Sequence, residues 1–331
     1  MFIVISGKLV GKKNVGVVVI GRNEGERLKK CLNSVVHLIN AIVYVDSGSS
    51  DDSVVFAKSI GVNVVDLDMS QHFTAARARN AGFNHLLACY PNIEYVQFVD
   101  GDCEVIAGWF DGALSAFTQD TQSEKLAVVF GRCKERYPDA SLYNYEANQG
   151  WKVTPGYTET CGGNALMLVE AFSLMQGYDE ALIAGEEPEL CLRLRRAGWK
   201  ILSVADEMVW HDVNIHRFSQ WYKRAVRTGH AFAEVCWKNR KFSEHYWRKH
   251  NVRIFAWGIL LPAIIVLLSF LQPSFLWLFL IYSLQVARIA KKEGWVYGYF
   301  CVLVKFPQAV GQMKYFLNYV LGKKSKLIEY K

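Results

Sequence analysis

Residues 15–52 read VGVVVIGRNEGERLKKCLNSVVHLINAIVYVDSGSSDD. Residues 15–20 are a short β-branched run with no polar interruption, which is the pattern of a strand buried on both faces. Gly21, Arg22, Asn23 and Glu24 break it. Arg27, Leu28, Cys31, Leu32, Val35 and Val36 then recur close to every 3.6 residues, so an amphipathic helix starts at Asn23 or Glu24. Residues 41–45 (AIVYV) form a second strand, stopped by the polar cluster 46–52. Ser50 and Asp51 suit the N-cap of a helix over 53–60, and Gly61 suits its end.

The same alternation continues outward. A third strand covers 62–67, a helix 75–90, and a fourth strand 93–99 that runs into Asp100-Gly101-Asp102. Four strand–helix alternations predict an α/β fold with a mainly parallel sheet flanked by helices. Ligands bind such sheets outside the carboxyl ends of the strands. Gly21-Arg22-Asn23, the 46–52 cluster and Asp100-Gly101-Asp102 all follow strands directly, so three polar clusters converge on one sheet edge. Further on, 127–130 is a strand and Gly162-Gly163-Asn164 precedes another at 165–169. Residues 184–199 give a loop and then a helix, with Pro188 at its first position and Gly198 at its end. A short last strand at 204–210 leads to His211.

The 331 residues suffice for one domain of about 200–250 residues with an appendage. A hydrophobic share of 51% excludes a disordered chain. The net charge of +7 is concentrated late: Arg288, Lys291, Lys292, Lys305, Lys314, Lys323, Lys324, Lys326 and Lys331 face only Glu293 and Glu329. Basic residues beside apolar segments point to an anionic membrane surface. Zinc-finger spacing, an RNA-binding signature and a DNA-reading basic helix are all missing, so no nucleic-acid partner is expected. The eight cysteines form no CxxC pair, which fits a reducing compartment. Cys31, Cys89 and Cys191 read as buried thiols, and Cys161 as packing. Residues 1–10 are apolar but too short for a signal peptide.

After Arg253 the character changes. Residues 254–271 and 274–290 are apolar runs close to the lower limit for crossing a bilayer, joined at Gln272-Pro273-Ser274. Arg248, Lys249 and Arg253 precede the first; Arg288, Lys291 and Lys292 close the second. Basic flanks on both sides predict a hairpin 254–290 with both ends cytoplasmic, the alternative being a buried hairpin of a soluble protein. Residues 295–321, interrupted by Lys305, Pro307 and Lys314, read as an interfacial amphipathic segment. The expected division is a catalytic domain over 1–240 and a membrane-associated helical region over 241–331. The expected location is the inner membrane, with the site on its cytoplasmic side.

Asp100 and Asp102 flank a glycine at a strand end, where two carboxylates can serve one hard cation, Mg2+ or Mn2+. His211 is a third ligand or a capping residue. Glu186, Glu187 and Glu189 crowd a helix start. Some complement the helix dipole, and one can act as a general base for an acceptor hydroxyl. Arg77 and Arg79 can grip a diphosphate or stack on a base. Lys223, Arg224 and Arg227, after Gln220 and Trp221, suit donor phosphates, the acceptor or lipid headgroups.

In five segments the chain resembles the family-2 group of GT-A glycosyltransferases, over about residues 15–235. They are VVVIGRNEGERLKKCLNSV, VYVDSGSSDDS, AARARNAGF, VQFVDGDCEV and the block from ETCGGN to LRLRRAGWKI. The resemblance implies an inverting enzyme that uses a nucleotide-sugar donor and a single displacement. It implies that Arg22, Asn23, Glu24, Asp46, Ser47, Asp51, Arg79, Asn80, Asp100, Gly101, Gly163, Asn164 and Glu186 surround the donor. Asp102 then holds the metal, with Asp100 and possible help from His211, and Glu187 is the base. Two positions depart from the family pattern. Glu187 stands where aspartate is usual, and Gln220-Trp221-Tyr222-Lys223-Arg224 is not a strict QxxRW. The second departure, with the short hairpin, argues for single addition to a lipid-linked or surface-polysaccharide acceptor rather than processive synthesis. Transfer to polyprenyl phosphate and a catalytically weak scaffold subunit are the alternatives. GRNEGE lacks the glycine fingerprint of a dinucleotide-binding dehydrogenase. The donor's base and sugar, and the oligomeric state, are not encoded in these motifs.

Overall fold

In the computed structural model, residues 3–5, 8–10, 14–119, 125–242 and 246–323 are described. Met1, Phe2 and the distal basic tail (Lys324, Lys326, Glu329, Lys331) lie outside them. The chain divides into two compact units. One comprises Met1–Tyr137, Trp151–Ala181 and Glu186–Val213, the other Pro138–Gly150, Leu182–Gly185 and Asn214–Lys331. The second thus begins well before the position 241 expected from hydropathy.

In the first unit, β1 (Ile3–Ile5) and β2 (Lys8–Val10) pair as an antiparallel hairpin. The core begins with β3 (Val15–Gly21), followed by α1 (Glu26–Val35), β4 (Ala41–Asp46), α2 (Ser53–Ser59), β5 (Asn63–Asp66), α3 (Ala75–Cys89) and β6 (Tyr95–Asp100). Strands β5, β4, β3 and β6 lie side by side and parallel. Val17, Val18 and Val19 are fully buried, at about 1.5–3 kcal/mol each relative to exposure. The register decides where the chemistry lies. Gly21 pairs with Asp46, Ile20 with Asp100, and Asp46 with Asp66, so the strand ends stop at one level.

The second half of the sheet is mixed. It uses β7 (Cys103–Val105), α4 (Trp109–Gln119) and β8 (Leu126–Glu135). The next helix, α5 (Leu142–Gly150), belongs to the second unit. Then follow β9 (Gly156–Tyr157), β10 (Ala165–Leu168), α6 (Val169–Leu174), α7 (Glu186–Arg196) and β11 (Lys200–His211). The nine-stranded order is β5-β4-β3-β6-β10-β8-β11-β7, with β9 on β11. β10 runs antiparallel to both β6 and β8. β11 runs parallel to β8 and antiparallel to β7, with register shifts between Ser203 and Val209. These shifts make β11 twelve residues long, where alternation alone marked only a short strand. α7 starts at Glu186, so Pro188 is its third residue rather than its first. It stays within the first turn, where a missing N–H breaks no helical bond. Cys89 is exposed, against the expectation of a buried thiol, because it sits at the last position of α3.

The second unit is helical. α8 (Phe218–Lys238), α9 (Arg248–Phe255), α10 (Leu261–Leu271), α11 (Leu280–Glu293), α12 (Trp295–Leu303) and α13 (Lys305–Val320) follow in order. α9 and α10 are joined by a π-helical turn, Ala256–Leu260. Pro262 explains it, since this residue has no N–H to close an ordinary turn. The continuous helices Arg248–Leu271 (24 residues) and Pro273–Glu293 (21 residues) are long and apolar enough to cross a membrane, by length and composition. Phe270 and Leu271 are each 81% exposed, so this hairpin is not the buried core of a soluble protein.

Residues 295–321 are divided in the structure at Val304. They form two helices, and α13 buries Gln308, Ala309, Gly311 and Gln312. Glycines bring α13 against α8. A Cβ on Gly229 would strike the Gln308 carbonyl, and one on Gly311 would strike the Val226 carbonyl. That close packing draws α8 into the helical unit.

A similar constraint fixes α3 on the sheet. A Cβ on Gly82 would lie 2.8 Å from Val45 Cγ2 and closer still to Val18. Gly82→Leu is expected to cost at least the ~1–3 kcal/mol of an overpacked core, read as a lower urea midpoint, whereas Val55→Ala on the exposed face of α2 leaves the midpoint unchanged.

Candidate active site

The loops after β3 and β4 are laced together. Asn23 has a left-handed backbone (φ 53°). Its N–H donates to Ser49 Oγ (2.9 Å), and its Oδ1 accepts from Ser50 N (2.7 Å). Asp51 Oδ2 accepts from Gly25 N (3.0 Å) and Oδ1 from Ser53 N (3.1 Å). Asp46 is buried and saturated. Oδ1 accepts from Tyr44 Oη (2.8 Å), and Oδ2 from Gly48 N (2.9 Å) and Ser49 N (2.8 Å). Burial, then the bond to Asp46, pushes the Tyr44 phenol well up, so it remains the donor. Ser47 N donates to Gly21 O. These groups hold the two loops as one preorganised rim. Arg22 stacks over the Phe73 ring at 4.7 Å, and Glu24 pairs with Arg27 at 2.7 Å.

Arg79, on α3 and 2% exposed, gathers three carboxylates from two other elements, β6 and α7. Its Nη2 meets Asp100 Oδ1 at 2.8 Å; its Nη1 meets Glu186 Oε1 at 2.7 Å and Glu187 Oε1 at 3.2 Å. Burial alone would depress the guanidinium's pKa, but the three carboxylates outweigh it and hold Arg79 charged. Glu187 is pushed up to about 7, first by burial and then by the Glu186 charge, with Arg79 pulling the other way. Gly163 forms the wall of this cluster. A Cβ there would lie 3.0 Å from both Asp100 Oδ2 and Glu187 Oε1 and would collide with Arg79 Nη2.

The neighbouring motif residues are braces. Asn164 Oδ1 accepts from Asp100 N (3.0 Å), and its amide reaches Cys103 Sγ (3.4 Å). Gly101 N donates to Ile20 O, and a Cβ on Gly101 would sit 3.0 Å from that oxygen. Asn80 is tied to the loop after α6, accepting from Tyr178 N (2.9 Å) and donating to Tyr178 O (2.9 Å) and Glu180 Oε1 (3.0 Å). Arg77 turns to Asp68 and Gln71 O. Glu189 pairs with Arg193 on the same helix.

Asp102 and Asp100 part company. β7 pairs with β11 so that Cys103 faces His211, which leaves Asp102 beside the imidazole. Asp102 Oδ2 and His211 Nε2 are 3.1 Å apart. Asp102, Cys103 and His211 place ligand atoms within 4.8 Å of one another, a set that does not include Asp100. Carboxylate oxygen and imidazole nitrogen suit Mn2+ or a similar divalent ion. The Cys103 thiol is held neutral by burial and then by the Asp102 charge, so it is a poor ligand. His211 stacks on Trp151, with ring centroids 4.6 Å apart. Sequence reading missed Trp151 as a site residue, because it lies in an irregular stretch with no period to flag it. It also missed Tyr178, whose ring lies 5.6 Å from the Arg79 guanidinium. Lys223, Arg224 and Arg227 lie on α8 in the second unit. There Glu146 is raised by burial, while Arg224 opposes the shift.

The sheet order, the carboxylate strand ends and the Asp–His pair together define a GT-A type of α/β domain. Residues 16–174 match the family model described as glycosyl transferase family 2. A pre-mycofactocin glycosyltransferase of Mycobacterium tuberculosis is 27% identical over 243 residues, covering 67% of this chain and 47% of that protein. An uncharacterized glycosyltransferase of Rickettsia bellii is 36% identical over 53 residues, covering 16% of this chain and 18% of the other. A mannosyltransferase from Pyrobaculum calidifontis, solved in complex with GDP-Man and Mn2+, shares the fold. Its TM-score is 0.63 at 15% identity, over 91% of this chain and 87% of that one. The chain spans about half the length of the mycobacterial relative.

Removing Arg79 leaves the buried Glu186 and the partly buried Asp100 and Glu187 without their counter-ion. Arg79→Ala is expected to lose about 3–5 kcal/mol of stability, measured by chemical denaturation. Arg79→Lys restores little of it, because one ammonium cannot span two separate carboxylate directions.

Proposed function

We propose that the protein is an inverting glycosyltransferase that moves one sugar from a nucleotide-diphosphate donor to a hydroxyl of a lipid-linked or surface-polysaccharide acceptor. The observation that carries this reading is the Arg79 cluster beside the Asp102–His211 pair, at the carboxyl ends of the parallel strands. The match to the family-2 model supports it. So does the shared fold of a mannosyltransferase that was solved with GDP-Man and Mn2+.

Asp102 and His211 would hold a divalent cation, Mg2+ or Mn2+. When bound, it supplies positive charge to the diphosphate leaving group. The chain's own residues do the rest. The laced loops with Asn23, Ser49 and Asp51 present a preformed rim to the nucleotide. Gly163 keeps the wall clear for the sugar. Glu187 takes the proton of the acceptor hydroxyl as that oxygen bonds to the anomeric carbon and the bond to the diphosphate breaks. A carboxylate pushed up to about 7 is a stronger base than an ordinary glutamate and is still half ionised near neutrality. The exposed apolar hairpin and its basic flanks support a place at the cytoplasmic face of a membrane, near an acceptor carried on lipid.

Two experiments test this reading. Purified protein is screened by thermal shift against UDP, GDP and dTDP with Mn2+ or Mg2+. One nucleotide is expected to raise Tm only when metal is present, and Asp102→Ala abolishes the shift; no shift with any pair refutes the proposal. With the matching donor and acceptor, Glu187→Gln is expected to lower kcat by about 10²–10⁴-fold while the thermal shift persists. The parent's rate should climb with pH up to about 7 and then level.

The raised pKa also has a stability signature. The folded state holds the Glu187 proton more tightly than the unfolded chain does. That contribution is full below about pH 4.5 and is lost as pH rises through about 7. Glu187→Gln should therefore stabilise the protein at pH 8, by on the order of 3 kcal/mol, and leave it nearly unchanged at pH 4.5. A calorimetric comparison at the two pH values checks this.

A further inference from the structure

Two cavities in the helical unit, each of about 430 Å³, share Phe255, Gln312 and Phe316 in their walls and so form one trough. Three helices line it. On the first candidate span, Arg248, Val252, Phe255 and Ile259 follow at intervals of four, three and four residues, which is a single helix face. α13 contributes Gln312, Phe316 and Val320, again one face. α8 contributes Trp237, and Arg240 lies two residues beyond its end. From Arg248 to Ile259 the trough runs on the order of 16 Å, at 1.5 Å per residue.

The trough has two chemically different ends. Arg240 and Arg248 both line the first cavity, and neither lines the second. Among the described residues, neither has a carboxylate within ion-pair distance; Arg240 only covers the Trp237 ring (4.3 Å) and donates to Trp237 O. At the other end Ile259, Leu317 and Val320 offer no polar side chain. The polar floor satisfies itself, since Gln312 Nε2 donates to Asn251 Oδ1 at 2.7 Å. The π-helical turn at Ala256–Leu260 shapes the wall, and such turns cluster at functional positions. Gly258 lets this turn close against Lys305 and Ala309. The trough opens beside the exposed apolar helices that reach for a bilayer.

We infer that this trough is a binding site for one anionic glycerophospholipid of the bilayer, its phosphate between Arg240 and Arg248 and one acyl chain along Phe255, Phe316 and Val320. Two guanidinium groups with no carboxylate partner among the described residues complement a phosphate, and the apolar remainder complements a hydrocarbon chain. The inference rests on the membrane reading of the hairpin and not on the glycosyl-transfer chemistry.

The test uses the full chain purified in a mild detergent, offered equal amounts of phosphatidylglycerol, phosphatidylcholine and a polyprenyl phosphate, and examined by native mass spectrometry. One phosphatidylglycerol per chain should be retained in preference to the others. The pair Arg240→Gln with Arg248→Gln should weaken retention about thirtyfold, the factor for two basic side chains at an anionic surface. Val252→Trp, at a half-exposed wall position, should block the trough without touching the cations. Circular dichroism and Tm must match the parent for both variants. Equal retention of phosphatidylcholine, preferential retention of polyprenyl phosphate, or unchanged binding by the variants overturns the assignment. Flotation of the same preparation with neutral and anionic vesicles separates the two failures. A parent that floats with neither refutes the membrane reading as well, whereas one that floats while the variants keep their lipid refutes only the trough.

Discussion

One buried guanidinium organises the carboxyl end of the parallel strands. Arg79 reaches Asp100 at the end of β6 and Glu186 and Glu187 at the start of α7, elements that have no other reason to converge on one point. The arrangement is expensive unless complete, because Arg79 and Glu186 have left water and Asp100 and Glu187 have partly done so. It is also unbalanced, with three carboxylates against one cation. The imbalance expresses itself where it is useful: Glu187 holds its proton to about neutral pH. Gly163 belongs to the same constraint, since its bare α-carbon lets the carboxylates and the guanidinium meet.

The two aspartates of Asp100-Gly101-Asp102 divide the labour. Asp100 is consumed by Arg79, while Asp102 turns to the other side of the glycine and meets His211. β7, only three residues long, sets this by fixing Cys103 opposite His211. A strand that short carries no period, so its role was not readable from sequence. Asp102 could be proposed as a ligand from the motif alone, whereas its pairing with His211 needed the register of the sheet.

The parallel half of the sheet was legible because each strand is an apolar β-branched run with a polar stop, and Val15–Gly21, Ala41–Asp46 and Tyr95–Asp100 differ from the reading by a residue or two. The mixed half was less so. β11 bends through register shifts, which erase alternation, and α5 has no strong apolar stripe. Among the site residues, charge type was readable but task was not. Asp46, Asn80 and Asn164 carry the family's motifs, yet their polar atoms are occupied by backbone groups nearby. A sequence cannot distinguish a side chain that touches a ligand from one that shapes the loop doing so. The helical region misled in the opposite sense. Lys305, Pro307 and Lys314 looked like interruptions, whereas close glycine contacts between α8 and α13 make a packed pair of them.

The two units are interleaved along the chain. Residues Pro138–Gly150 and Leu182–Gly185 belong with the C-terminal helices, although the strands before and after them belong to the sheet. No single cut can therefore free one unit from the other. During synthesis the sheet can close once the ribosome has passed Val213, but α5 must wait for α12, against which Tyr143 packs on Phe300. A protease that nicks the chain before the apolar hairpin would leave that helix without its partner, so simple truncation cannot isolate either unit intact.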